Sequence, residues 1–160
     1  MYGSDVLAFP PDWNEFLHVL TSHRVRFLLI GGHAVALHAT PRFTEDLDVF
    51  VDPTPANARR LHAALVEFGF EAVLSAPAAL AVPDKVWMLG RKPLRIDILT
   101  GIDGVSFRDA WRGRVAVQVG DDRVFVIGRD ALLANKRAAG RAKDLADIEA
   151  IEARLARRRR

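Results

Sequence analysis

The sequence predicts an α+β domain, a mixed β-sheet with helices packed on it. Two observations carry this. Apolar residues alternate with polar ones over short stretches such as Asp46–Val51 and Leu94–Leu99, the period of a strand. Elsewhere they recur three and four residues apart, as in Trp13, Phe16, Leu17 and Leu20, the period of a helix. The two kinds of stretch alternate in a mixed way along 160 residues. No internal repeat, low-complexity linker or composition break divides the chain, so one domain spanning 1–160 is expected.

In order, Asp12 followed by Glu15 reads as a capping box opening the first helix. Phe27 to Ile30 is a short apolar strand stopped by Gly31-Gly32, from which a short helix runs to about His38. Pro41 ends that helix and opens a polar turn, Arg42 to Glu45. Asp46 to Val51 is a strand with Leu47, Val49 and Val51 on one face and Asp46, Asp48 and Phe50 on the other. Thr54-Pro55 starts a helix, through a capping hydroxyl and a proline in the first turn. Its buried stripe is Leu61, Leu65 and Phe68, and Gly69 closes it. Phe70 to Leu74 reads as strand, followed by an Ala/Pro-rich loop through Pro83. Strands follow near Lys85–Leu89 and Leu94–Leu99. Val115–Val119 and Arg123–Ile127 form a hairpin across Gly120-Asp121-Asp122. The chain ends in helical sequence over about 129–157, interrupted by Gly140, with Leu145, Ile148, Ile151 and Leu155 as its apolar stripe. Trp87, Met88 and Trp111 are expected in the core.

Composition excludes several chemistries. With no cysteine there are no disulfides, zinc-thiolate sites or thiol nucleophiles. No apolar stretch approaches the roughly 20 residues of a membrane span, and the start of the chain does not read as a signal peptide. The expectation is a soluble cytoplasmic protein without a membrane partner. The formal charge of +3 is unevenly placed. Lys136, Arg137, Arg141 and Lys143 cluster late, and Arg154 with Arg157 to Arg160 forms a basic tail. Such a tail can attract phosphate backbones, or can be a solvated helix end whose cations favour the helix dipole.

The chemistry-bearing pattern is Gly31-Gly32, thirteen residues, then Asp46-Leu47-Asp48. Aspartates at i and i+2 on a strand point the same way, with Cα atoms roughly 6.5–7 Å apart. That spacing lets two carboxylates hold Mg²⁺, which takes few protein ligands, all oxygen, and completes its shell with water and phosphate. Gly-Gly opening a helix adds a place where backbone N–H groups and the dipole favour phosphate. Asp97 stands in an otherwise apolar strand, where an unpaired buried carboxylate would be costly. If that strand lies beside Asp46–Val51, three carboxylates surround one metal site. Asp97 is then a metal ligand or general base.

These residues resemble a known superfamily. Phe27 to His38, then Pro41-Arg-Phe-Thr-Glu-Asp-Leu-Asp48, is similar to the signature of the DNA polymerase β-like nucleotidyltransferases: an apolar strand, Gly-Gly or Gly-Ser, a short helix, then Asp-x-Asp. Arg42-x-Thr44 before the aspartates, and the late segment Lys136 to Asp147, look most like the AbiEii-like group, often associated with toxin–antitoxin loci. The resemblance covers about residues 25 to 150. It implies the polymerase β-like fold and transfer of a nucleoside monophosphate from an NTP to an acceptor, with Mg²⁺ or Mn²⁺ as cofactor and pyrophosphate released. By position it assigns Asp46, Asp48 and Asp97 to the metals and catalysis. Gly31, Gly32, His33, Arg42, Thr44 and Lys136 would hold the nucleotide. Gly32 departs from the pattern, since many members carry serine there. His33 is the residue that could replace the lost hydroxyl contact, although packing is the simpler role for both His33 and His38.

Acceptors consistent with the resemblance are RNA (a tRNA 3′ end, for instance), a protein side chain or a small molecule. Two non-catalytic readings compete. One is a toxin–antitoxin partner acting by protein contact, its metal site vestigial. The other is a nucleic-acid-binding module using the arginine tail. The segment around Lys143, Asp144 and Asp147 likewise reads either as part of the site or as charges on a helix surface.

Overall fold

The computed structural model describes residues 5–70 and 76–160. Apart from Phe70, the strand expected over Phe70–Leu74 lies outside them. Among the described residues, six strands form one mixed sheet, with six α-helices around it. The strands are β1 (Phe27–Ile30), β2 (Asp46–Val51), β3 (Val86–Leu89), β4 (Arg95–Leu99), β5 (Val115–Val119) and β6 (Asp122–Val126). The helices are α1 (Pro11–Ser22), α2 (Gly31–His38), α3 (Pro55–Phe68), α4 (Phe107–Arg112), α5 (Arg129–Ala139) and α6 (Ala142–Arg158). Strand order is β3-β4-β2-β1-β6-β5. β2 is parallel to β4 and antiparallel to β1, and β1 is parallel to β6. Among the described residues no helix is long and apolar enough to cross a membrane.

β2 is central, and its alternation explains its place. Leu47, Val49 and Val51 have no solvent exposure, so one face of the strand lies wholly in the core. On the other face Phe50 is covered by the ring of Phe107 from α4, at 5.1 Å between centroids. Asp46 and Asp48 occupy the same face nearer the strand's start and are only partly buried. α1 starts at Pro11, and no side chain caps it. The expected Asp12–Glu15 capping box is therefore absent; Asp12 sits in the first turn, where its charge favours the dipole. α3 begins as expected, with the Thr54 hydroxyl accepting from the Asn57 N–H, and ends at Gly69 in a left-handed conformation that a β-carbon would disfavour. The Ala/Pro-rich loop contains a 3-10 helix over Pro77–Ala81 that packs against α3.

Three expectations shift. The hairpin turn is two residues, because Val119 pairs with Asp122, and Gly120 at φ +58° supplies the positive dihedral such a turn requires. Met88 is 64% exposed, not core, since β3 is an edge strand and only Leu89 turns fully inward; Trp87 and Trp111 are partly buried. In α6 Leu145 is 53% exposed, and the buried stripe is Asp144, Asp147, Ile148 and Ile151. Buried aspartates replace leucine there because cations wait for them, as described below. The α4 helix has no counterpart in the sequence reading; Ser106 caps it by accepting from the Asp109 N–H.

Asn57 ties α3 to the sheet. Its Oδ1 accepts from the Arg26 N–H at 2.8 Å, and its Nδ2 donates to the carbonyls of Arg26 at 3.0 Å and Asp52 at 2.9 Å. Asn57→Ala removes all three bonds, leaving the Arg26 carbonyl only its bond from the Asp52 N–H, and should cost about 2–3 kcal/mol in urea unfolding. A change within about 0.5 kcal/mol, the ordinary range of surface substitutions, would contradict that role.

Candidate metal centre

Parallel pairing of β2 with β4 puts Asp46 opposite Arg95 and Asp48 opposite Asp97. One carboxylate oxygen from each of Asp46, Asp48 and Asp97 can be chosen so that all lie within 4.8 Å of one another. The three aspartates singled out in the sequence thus meet on one sheet face. They form part of the lining of a cleft of about 740 Å³. Gly31, Gly32, Arg42, Thr44 and Lys136 line the same cleft, together with Phe43, Arg95, Asn135, Arg141 and Lys143.

Gly31 begins α2 at φ +65°, and a β-carbon there would overlap Asp48 Oδ2. Both its conformation and the carboxylate's approach demand glycine. At Gly32 a side chain would run into Thr44 Cγ2. The serine that the resemblance leads one to expect therefore has no room here, because Thr44 fills that space. The helix N-terminus and the carboxylates are thus in direct apposition.

His33 is placed differently from its expected role. It is absent from the cleft lining, and its ring packs edge-on against Phe9 and Trp13. Its Nε2 donates to the Asp46 carbonyl at 3.2 Å and lies 2.8 Å from the Thr44 hydroxyl. Burial lowers its pKa, which keeps the ring neutral. It braces the turn into β2 from behind. His38 is also buried, its Nε2 donating to the Ile127 carbonyl.

Lys136 was expected to reach the triphosphate. It is buried, with Nζ 3.1 Å from Asp144 Oδ1 and 3.0 Å from Asp147 Oδ2. Each carboxylate passes the connection to an arginine of the cleft. Asp147 accepts from Arg42 Nη1 at 2.6 Å, and Asp144 accepts from Arg141 Nε at 2.7 Å. Burial pushes the Asp144 carboxyl up, but hydrogen bonds from Arg141 and Lys136 outweigh it and hold the group at about 2. Asp147 is likewise held low against burial by Arg42 and Lys136. Asp144 and Asp147 are therefore not surface charges; Arg137 pairs instead with Glu152. They position two guanidinium groups at the cleft. Arg154, from the basic tail segment, donates to the carbonyls of Leu37 and Ala39 at the end of α2.

Arg95 is the site residue that the sequence reading missed. Its Nε and Nη2 form a fork on Asp97, each bond 2.9 Å, and Nη2 also reaches Asp46 Oδ2 at 3.0 Å. The burial cost that argued for a cation beside Asp97 is met in part by this side chain. Its spacing was a usable signal: Arg95 precedes Asp97 by two residues and so shares its face.

The arrangement suits a hard divalent cation. It offers three carboxylates, all oxygen donors, at an open cleft where water and phosphate can complete the shell. It is also short of positive charge. Burial, then the Asp46 and Asp97 charges, push the Asp48 carboxyl up to about 7.

No known family model matches the chain, and no curated protein is significantly similar to it.

Two predictions follow from the geometry. Asp144→Ala leaves the Lys136 ammonium buried with one partner fewer and should cost about 3–5 kcal/mol in chemical denaturation. A loss below about 1 kcal/mol would show that this network is not structural. For Asp48, a raised folded-state pKa means the native state holds a proton that the unfolded chain has released between pH 3.8 and about 7. The Asp48 contribution to stability without metal should therefore be lost as pH rises through that window, against the opposite contribution of His33 and His38, whose pKa burial lowers. Added Mg²⁺ or Mn²⁺ should restore it increasingly towards pH 8, because ligation needs the carboxylate. Thermal melts of Asp48→Asn should lack this falling component relative to wild type and be less responsive to metal. An identical pH profile in wild type and variant would contradict the assignment.

Proposed function

We propose that this chain is a metal-dependent nucleotidyltransferase with the polymerase β-like fold, moving an NMP from an NTP to an acceptor and releasing pyrophosphate. The observation that carries the reading is the meeting of Asp46, Asp48 and Asp97 beside the Gly31-Gly32 start of α2. A helix N-terminus beside a cation-demanding carboxylate cluster is what a triphosphate with its divalent ion requires. The resemblance of residues 25 to 150 to the AbiEii-like group supports the same conclusion and brings with it a role in a toxin–antitoxin system.

Asp46, Asp48 and Asp97 would hold Mg²⁺ or Mn²⁺. When bound, the ion lowers the pKa of an attacking hydroxyl and neutralises charge on the leaving pyrophosphate. The remaining work falls to the chain itself. The α2 N-terminus offers unsatisfied backbone N–H groups to phosphate oxygens. Arg42 and Arg141, braced by Asp147 and Asp144, keep further N–H donors for the same anion. Lys143 adds positive charge to the cleft wall. Lys136 acts at one remove, by holding the two carboxylates that hold the arginines. The acceptor is an RNA, a protein side chain or a small molecule.

One observation favours a second reading, a non-catalytic binding module. Arg95 already neutralises part of the carboxylate cluster, so the fold does not need a metal to tolerate it.

Label transfer separates the two. Protein with Mn²⁺ or Mg²⁺ and each α-phosphate-labelled NTP, offered total tRNA and cell lysate, should label RNA or a protein band. Asp46→Asn/Asp48→Asn should reduce transfer by at least roughly 10³-fold, the order expected when transition-state charge stabilisation is lost. Transfer that persists in the double variant would sink the reading.

A further inference from the structure

The carboxylate cluster contains its own cation, and this bears on how a metal reaches it. The Arg95 fork engages both oxygens of Asp97, and its Nη2 also takes one oxygen of Asp46. Bidentate guanidinium–carboxylate pairs are among the stronger and more oriented contacts in proteins. Arg95 is tethered there by the sheet, since Asp46 and Arg95 are register partners and Asp97 follows two residues later on the same face. The side chain is partly buried and lines the cleft beside the three carboxylates. A divalent ion approaching alone must share Asp46 and Asp97 oxygens with this guanidinium and sit beside a like charge. An ion already coordinated by a polyphosphate brings negative charge that offsets this repulsion, and its phosphate oxygens leave fewer positions for the protein to fill.

We propose that Arg95 is a counter-ion that makes the site select its metal as a metal–nucleoside triphosphate complex rather than as the free ion. The proposal rests on the nucleotidyltransferase reading and deepens it. It assigns Arg95 a positioning role: it acts through Asp46 and Asp97, and it sets the order in which the site fills. In its absence the three carboxylates would trap free divalent ions without substrate. With it, free metal binds weakly, and metal and nucleotide strengthen each other's binding reciprocally.

The test is titration of Mn²⁺, read as free ion by electron paramagnetic resonance at one fixed pH. Wild type, Arg95→Gln and Arg95→Lys are compared with and without an α,β-methylene nucleoside triphosphate. In wild type the analogue should tighten Mn²⁺ binding at least roughly tenfold beyond its own affinity for the ion. Arg95→Gln should bind Mn²⁺ alone at least about tenfold more tightly than wild type, with the coupling to nucleotide reduced. Arg95→Lys keeps the charge but loses the fork, and should fall between them; a purely structural role for the arginine would give the two variants the same affinity. Free Mn²⁺ binding in Arg95→Gln no tighter than in wild type would overturn the proposal. So would wild-type binding that is equally tight with and without the analogue, a result that needs no variant. If Mn²⁺ and analogue bind but Arg95→Gln changes nothing, only the role of Arg95 fails. If neither wild type nor variant takes up Mn²⁺ under any condition, the metal-site reading fails with it.

Discussion

Parallel pairing of β2 with β4 sets the carboxyl groups of Asp46, Asp48 and Asp97 side by side on one sheet face. Like charges at such spacing cannot all ionise without a cation among them. The surrounding structure answers that constraint. Arg95 forks onto Asp97 and Asp46, and Asp48 is pushed towards its protonated form. Gly31 gives up a side chain and adopts a positive φ so that the start of α2 can close on Asp48. His33, neutral and partly buried, fixes the backbone of Asp46. A cluster maintained against its own repulsion, at the floor of an open cleft, is costly to keep without a use. The affinity for positive charge that results is the property the proposed chemistry exploits.

A second charge system, of opposite character, shapes the cleft wall. Lys136, Asp144 and Asp147 are buried together where α5 meets α6, each satisfied by another. Buried ion pairs contribute little net stability, because desolvation offsets most of the attraction. Their value here is directional. Arg141 and Arg42, from different parts of the chain, are held by Asp144 and Asp147 beside the same cleft. Anionic floor and cationic wall together describe a site for an anion that arrives with a divalent metal.

Much of this was legible in the sequence, because it depends on local periodicity. The period-2 pattern of Asp46–Val51 and Leu94–Leu99 gave the strands and the face each aspartate occupies, and Gly31-Gly32 marked the start of α2. What sequence periodicity does not supply is pairing. That β2 lies parallel to β4 in the register that joins Asp48 to Asp97 was a condition of the reading, and the structure supplies it. The errors have the same origin. Hydropathy makes Leu145 core, yet it is exposed; Asp144 and Asp147, left open between site and surface charges, are buried because Lys136 from α5 and Arg42 from the turn before β2 neutralise them. Met88 reads as core but lies on an edge strand. Arg95 was given no role, although its spacing from Asp97 already placed it on the site face. The missed helix α4 shows how a six-residue element, whose apolar stripe is only Phe107, Ala110 and Trp111, is too short to declare a period.

The most direct test of the central claim, that Asp46, Asp48 and Asp97 form a metal site for a nucleoside triphosphate, is anomalous diffraction from crystals grown with Mn²⁺ and a non-hydrolysable NTP. The account predicts a manganese peak within roughly 2.0–2.3 Å of oxygens from these aspartates, the range of hard-cation ligation. It also predicts the triphosphate against Gly31 and Gly32. Strong nucleotide density elsewhere in the molecule, or nucleotide in the cleft with no manganese at the three aspartates, would contradict it.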